Sequence, residues 1–392
     1  MPRFLEAVTP DRARELLALF GRIDRTEPLG LQEALGRVIA RELLAPEPLP
    51  AFGRSQMDGY AVRAADTFGA GESAPAYLAL AGRIAMGRPG GALPEGADAV
   101  VMVEYCREVG AGQLEVARAV APGENVLAAG DDLAPGARLI TGGRRLRPQE
   151  LLALAAVGIE QVEVVARPRV GILSTGDELV APGALPGPGQ VRDANATAIA
   201  AQVREAGALP VPLGRCGDEP QVLYDLIDGA LPGLDALLVS GGSSQGARDS
   251  TAEVLARFGP PGVLAHGIAV APGKPTILAA AGSMPLIGLP GHPVSSLVIV
   301  RLFIDPMLRR LGGESGALDP FPARVRARLA RPVASKPGRE DWVRVALRDG
   351  IAEPLLKGSG AISTASMADG LVPIGLDSEG LAAGEEVEVR LF

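Results

Sequence analysis

The spacing of apolar and polar positions changes character several times along the chain. Near the start, Leu16, Leu17, Leu19 and Phe20 lie among charged residues, which predicts a helix with one buried face and Thr9 or Asp11 as its cap. The helical reading runs over 1–45 and is broken by Pro48, Pro50 and Gly53. From about 58 to 134 the apolar runs shorten to Ala76–Leu80, Ala99–Val103 and Leu114–Val116, separated by Gly and Pro, which predicts a small β-rich domain. Residues 148–160 return to helical spacing with Pro148 in the first turn. Because helix-like segments flank it, the β-rich part, 46–134, reads as an insertion in a discontinuous helical, linking domain, 1–45 and 135–167.

Beyond 168 the pattern alternates. Residues 169–175, 235–240, 276–280 and 285–289 read as buried strands. Helical spacing covers 195–207 with Asn195 near the cap, then 220–231, about 249–258, and 293–312 with Pro293 in the first turn. Alternation of this kind predicts a doubly wound α/β domain with a mostly parallel sheet over 168–317. Short strands at 342–347 and 387–391 predict a separate C-terminal β domain, 318–392. The fold class is therefore α/β plus β, in several domains.

Composition agrees with many turns between short elements, since 51 glycines and 34 prolines are spread along 392 residues. A formal charge of −8 without a basic run leaves no nucleic-acid footprint. Two distant cysteines, Cys106 and Cys216, and two histidines, His266 and His292, exclude a disulfide framework and a Cys- or His-rich metal site in one chain. The N-terminal stretch has no apolar secretory core and no apolar run is long enough for a membrane span, so a reducing, cytoplasmic setting is expected.

Three loops follow strands directly: Ser174-Thr175-Gly176-Asp177-Glu178, Ser240-Gly241-Gly242-Ser243-Ser244-Gln245-Gly246, and Gly288-Leu289-Pro290-Gly291-His292-Pro293. In an open parallel sheet such loops share the carboxyl edge, where ligands bind, so all three are expected to line one crevice. Adjacent glycines leave backbone N–H groups free to cradle an anion, and Lys274 can add a full charge. Asp177, Glu178 and Asp249 would repel a phosphate unless a cation intervened, which points to magnesium or a similar hard ion beside a nucleotide or pyrophosphate. Singly, each signal has an ordinary reading: a Gly-Gly turn shapes backbone, an Asp after a strand caps a helix, a lysine is solvated. Their convergence on one sheet edge carries the inference.

The same residues, with Ser55 to Ala61, Leu93 to Val101, Gly130 to Leu133, Gln190 to Asn195, Pro272 to Pro275, and Gly358-Ser359 with Ser366-Met367-Ala368, give the chain its likeness to a family. It resembles the molybdopterin molybdenumtransferases, called MoeA in bacteria and the E domain of gephyrin in animals. The resemblance implies a homodimer with four domains per chain, a MoaB/Mog-like α/β domain among them, and an active site shared between subunits. It implies that molybdate and adenylylated molybdopterin react with a divalent ion, releasing AMP, with an upstream adenylyltransferase and recipient molybdoenzymes as further partners. By the same likeness Asp58, Glu178 and Asp249 match essential carboxylates, Glu178 and Asp249 as magnesium ligands. Asp132 and Asp218 match further acidic positions, and Pro290, Pro293 and Ser359 positions sensitive to change. Ser174, Thr175, Gly176, Gly241, Gly242, Ser244, Gly246, Lys274 and Gly291 form the cofactor-binding loops.

Four departures stand out. The segment 83–92 is shortened and lacks the family's threonine, Leu127-Ala128-Ala129 replaces arginines, Gly267 and Ala271 stand where some relatives have lysines, and His292 replaces an asparagine. Each removes a cationic or polar group expected near an anion. At the level of sequence two other readings therefore stay open: a catalytically weakened paralogue that carries the pterin or finished cofactor, and an adenylyltransferase.

Overall fold

The computed structural model describes residues 7–79, 91–110, 112–241, 247–316 and 319–392, and of 247–249 the backbone alone. The chain forms two compact units, one of Met1–Glu27, Gly36–Ala40 and Val164–Phe392, the other of Pro28–Leu35 and Arg41–Glu163.

The larger unit is organised by one six-stranded sheet. Its strands are β1 (Arg169–Thr175), β2 (Leu209–Cys216), β3 (Ala236–Gly241), β4 (Pro261–His266), β5 (Ile277–Ala281) and β6 (Met284–Leu289), in the order β2-β1-β3-β6-β5-β4. The pairs β1–β2, β1–β3 and β3–β6 are parallel, whereas β6–β5 and β5–β4 are antiparallel. The alternation predicted β1, β3 and β6, the parallel strands at the centre of the sheet. The strand 261–266 was not anticipated, because PGVLAH offers neither a long apolar run nor a clear period.

Burial follows the two-residue period of a strand. Val170, Ile172, Ala236, Leu238 and Ile287 enter one core, with Leu16 and Leu17 of helix α1 (Pro10–Ala18). Leu173, Leu237, Val239 and Leu286 enter the other, beneath Leu223 and Ile227. A sheet so covered on both faces explains why its strands read as nearly continuous apolar runs. The crossover helices are α2 (Asn195–Glu205), α3 (Pro220–Ala230) and α4 (Ala247–Ala256).

The predicted helix 293–312 is present but interrupted. It runs as α5 (Pro293–Ile299), a π-turn over Val300–Ile304, and α6 (Asp305–Leu311). Pro306 has no N–H and its ring opposes the carbonyl one turn back, so the widened turn before it has a local cause.

The C-terminal strands Arg324–Leu329, Glu340–Arg348, Ile351–Pro354, Gly370–Ile374 and Glu386–Leu391 close on themselves, because Glu340–Arg348 pairs with both Ile351–Pro354 and Gly370–Ile374. Val345, Val372 and Val389 fill this small barrel. The short strand Val270–Ala271 pairs in parallel with Glu340–Asp341, so the barrel is stitched to the α/β sheet's own chain.

In the smaller unit Gly59–Val62 pairs antiparallel with Ala99–Met102, and Ala76–Ala79, Gln113–Val116 and Cys106–Val109 form a three-stranded sheet. Tyr60, Val62, Val101, Leu114 and Val116 are its core. The helix Pro148–Ala156 starts where predicted. The helical reading of 1–45 needs correction: after α1 the chain makes a strand at Thr26–Gly30 and another at Leu43–Leu44. Gly21, Pro28, Gly30 and Gly36, the last at φ +73°, explain why helical propensity fails there.

Candidate functional site

Strand register sets the site. Thr175 pairs with both Cys216 and Gly241, and Ser240 with Leu289, so the loops leaving β1, β2, β3 and β6 share one edge. Gly241 sits at φ +155°, where a Cβ would overlap the Thr175 carbonyl, so the tight exit of β3 requires glycine. At Gly176, φ +148°, a Cβ would meet the Glu178 carboxylate at 2.6 Å. The glycines thus let the backbone turn sharply over the sheet end.

Beside this edge lies a cavity of about 670 Å³. Gly241, Lys274, Pro290, Gly291, His292 and Ser359 line it. Of those, the sequence singled out Gly241, Lys274 and Gly291 as ligand-binding and Pro290 and Ser359 as sensitive to change; His292 was noted as a departure. Pro293 follows as the first residue of α5, and the Val294 N–H donates to the Ser359 carbonyl at 3.2 Å, fixing the Gly358-Ser359 turn against that helix.

The β1 loop does not line this cavity. Ser174 and Thr175 are buried, and the Thr175 hydroxyl lies 3.2 Å from both the Gly217 carbonyl and Asp218 Oδ1. Asp177, half-buried Glu178 and half-buried Asp218 make no ion pair among the described residues, although the Asp218 N–H donates to Asp177 Oδ1 at 3.3 Å. The expectation of one crevice shared by three loops is thus met by the β3 and β6 exits and not by the β1 exit.

Asp58 and Asp132 belong to the smaller unit, and both are exposed. Gly242, Ser244 and Gly246 lie outside the described residues, as do the side chain of Asp249 and most of the shortened segment. Among the described residues no three His, Cys, Asp or Glu side chains gather as a ready-made metal cluster.

Sequence reasoning missed the far wall. Lys336, Gly338 and Arg339, from the turn before the barrel strand Glu340–Arg348, also line the cavity. Arg339 pairs with Asp341 at 2.8 Å, whereas Lys274 and Lys336 are exposed and form no ion pair among the described residues. The signal was present in Lys336-Pro337-Gly338-Arg339, which repeats the Pro-Gly-plus-cation pattern of Pro272-Gly273-Lys274. Gly267 and Ala271, where some relatives have lysines, line the same cavity. Cys106 and Cys216 are half-buried, and burial holds both thiols above their ordinary range, Cys106 at about 11. Raised in this way, both thiols hold their protons more tightly, which disfavours the nucleophilic thiolate.

A doubly wound sheet with glycine-lined exits is thus followed by a small barrel, and the basic turn before one barrel strand lines the same cavity as those exits. The family model described as "Probable molybdopterin binding domain" matches 171–310, "MoeA N-terminal region (domain I and II)" matches 8–158, and "MoeA C-terminal region (domain IV)" matches 326–392. The Mycobacterium tuberculosis protein named molybdopterin molybdenumtransferase 2 is 32% identical over 398 residues, covering 96% of this chain and 97% of its own. The Bacillus subtilis molybdopterin molybdenumtransferase is 34% identical over 326 residues, covering 78% and 76%. A crystal structure of a Pyrococcus molybdopterin biosynthesis MoeA protein superposes with a TM-score of 0.81 at 36% identity, covering 98% of this chain and 99% of that one. The chain belongs to the MoeA family.

Proposed function

We infer that this chain acts in molybdenum cofactor biosynthesis as a molybdopterin molybdenumtransferase, inserting molybdate into adenylylated molybdopterin with release of AMP. The observation that carries the reading is the cavity at the sheet's carboxyl edge, where Gly241 and the Gly288–Pro293 loop meet Lys274, Lys336 and Arg339. An oxyanion is the ligand such cations suit, and both molybdate and the pterin phosphate are oxyanions. The Mycobacterium tuberculosis relative that bears the transferase name matches over 96% of the chain, which speaks against an adenylyltransferase built on the α/β domain alone.

Asp177, Glu178 and Asp218 are hard oxygen donors with no ion pair among the described residues, so the donor set at this edge suits a divalent cation. Magnesium commonly binds through one or two protein carboxylates plus substrate phosphates, and Glu178 with Asp249 would hold it. Bound there, it would neutralise charge on the phosphate linkage as that linkage breaks. The protein's own contribution is to fix the phosphate on backbone N–H groups and lysine. Asp58 and Asp132 complete the site from the partner subunit in a homodimer, whose chains divide into the four segments given above. Among the described residues no helix is long and apolar enough to cross a membrane.

The test is AMP release from adenylylated molybdopterin, expected only with both molybdate and magnesium. Release in a chelator, or an Asp249→Asn variant as active as the wild type, would remove the carboxylates from the mechanism. No release under any condition would remove the transferase reading.

A further inference from the structure

We propose that Asn195 is a positioning residue for the anion cavity, holding the loop after β6 against the end of β3 so that the Gly291 carbonyl is spent inside the protein. The proposal rests on the reading that this cavity receives the oxyanion.

Asn195 opens α2 but does not cap it. Asp193 Oδ1 takes the Ala196 N–H at 3.1 Å, and Ala194 occupies the cap position. The asparagine side chain is therefore free for other work, and its Nδ2 donates to Ser240 Oγ at 2.9 Å and to the Gly291 carbonyl at 2.8 Å. Those partners lie 45 and 96 residues away. Ser240 immediately precedes Gly241, and Gly291 follows Pro290, so one amide joins the end of β3 to the loop after β6, both of which contribute to the cavity lining.

The chemistry of the bond matters as much as its position. A free carbonyl oxygen beside Lys274 and Lys336 would set negative charge against the anion those lysines attract. The amide N–H group occupies that oxygen instead. Two N–H donors on a short stem are what the geometry needs, and only asparagine supplies them at this length. Aspartate has the same shape and no donor, so its oxygens would oppose both the carbonyl and any anion.

Molybdate alone, titrated calorimetrically, is the probe, alongside steady-state kinetics with adenylylated molybdopterin. Asn195→Asp is expected to weaken molybdate binding at least tenfold and raise KM similarly, with kcat within about threefold and thermal midpoint near wild type. Asn195→Ala should show the same direction with a smaller loss, and it serves if the aspartate variant does not fold. Ser240→Ala keeps the Gly291 bond but removes the anchor on β3, so its loss should fall between wild type and Asn195→Ala. Unchanged molybdate binding in both Asn195 variants would overturn the proposal. So would losses that merely follow the thermal midpoint, since that marks a packing role only. Wild-type protein that binds molybdate in this Asn195-dependent way yet releases no AMP would keep the proposal and remove the transferase reading. Normal turnover with indifferent Asn195 variants would do the reverse.

Discussion

Lys274 and Lys336 come from two different folds, one from the turn before β5 and one from the turn before a barrel strand, yet they face one cavity. A cation without a counter-ion is poorly placed for stability alone, because exposed charges gain little from distant neighbours. Each is better explained by a ligand that arrives with its own negative charge. Lys274→Ala and Lys336→Ala should therefore each weaken oxyanion binding by about ten- to a hundredfold, the worth of roughly 1.5–3 kcal/mol for a charged hydrogen bond. The thermal midpoint of the unliganded protein should hardly move. Titration of molybdate into each variant checks this, and an affinity equal to wild type would place the anion elsewhere. At this scale the sequence was only half legible. Lys274 stood out because its glycine and proline neighbours lie in the α/β segment, whereas Lys336 and Arg339 are far along the chain, in a segment read simply as strands. What joins them is the pairing of Val270–Ala271 with Glu340–Asp341, a tertiary contact that no local pattern encodes.

At the scale of elements, the period of buried residues carried most of the information. β1, β3 and β6 were readable because covering both faces of a sheet leaves an apolar run, and the helix from 293 because Pro293 marks its first turn. The region after α1 was not readable, since its apolar residues suit either a helix face or short strands. Helix Pro148–Ala156 shows how an element end can be tested. Glu150 accepts the Arg147 N–H at 2.9 Å and pairs with the Arg147 and Arg144 guanidiniums at 2.7 and 3.0 Å. The Arg147 hydrogen bond foremost, then the backbone and Arg144 bonds, hold its carboxyl down at about 2, against the cost of its burial. A carboxyl depressed in the fold stabilises above its unfolded value, about 4.3, and loses that contribution as pH falls towards 2. Glu150→Gln should thus cost on the order of 1 kcal/mol at pH 7, less in high salt, and the gap from wild type should close as the pH is lowered below 4. Urea midpoints at both pH values measure it; a gap that persists undiminished in acid would mean that the glutamate acts by shape and not by charge.

At the scale of the whole molecule, the carboxylates matched by likeness divide between the two units, Asp58 and Asp132 in one, Glu178, Asp218 and Asp249 in the other. A homodimer offers a way for one site to draw on both, since two copies related by a twofold axis present each unit to the other chain. This has a consequence that a single-chain site does not share. Mix an Asp58→Asn chain with an Asp249→Asn chain and allow subunits to exchange. If each site takes Asp58 from one chain and Asp249 from the other, a mixed dimer has one site with both residues replaced and one with neither. Random assembly makes about half the dimers mixed, so roughly a quarter of wild-type activity should return, from two preparations each nearly inactive. If both residues come from one chain, every site in a mixed dimer lacks one carboxylate and nothing returns. Exchange must be shown independently, for example by mass spectrometry of differently tagged chains, because absence of mixing would imitate the second outcome. With exchange established, recovered AMP release assigns the site to two subunits, and its absence assigns Asp58 and Asp249 to one.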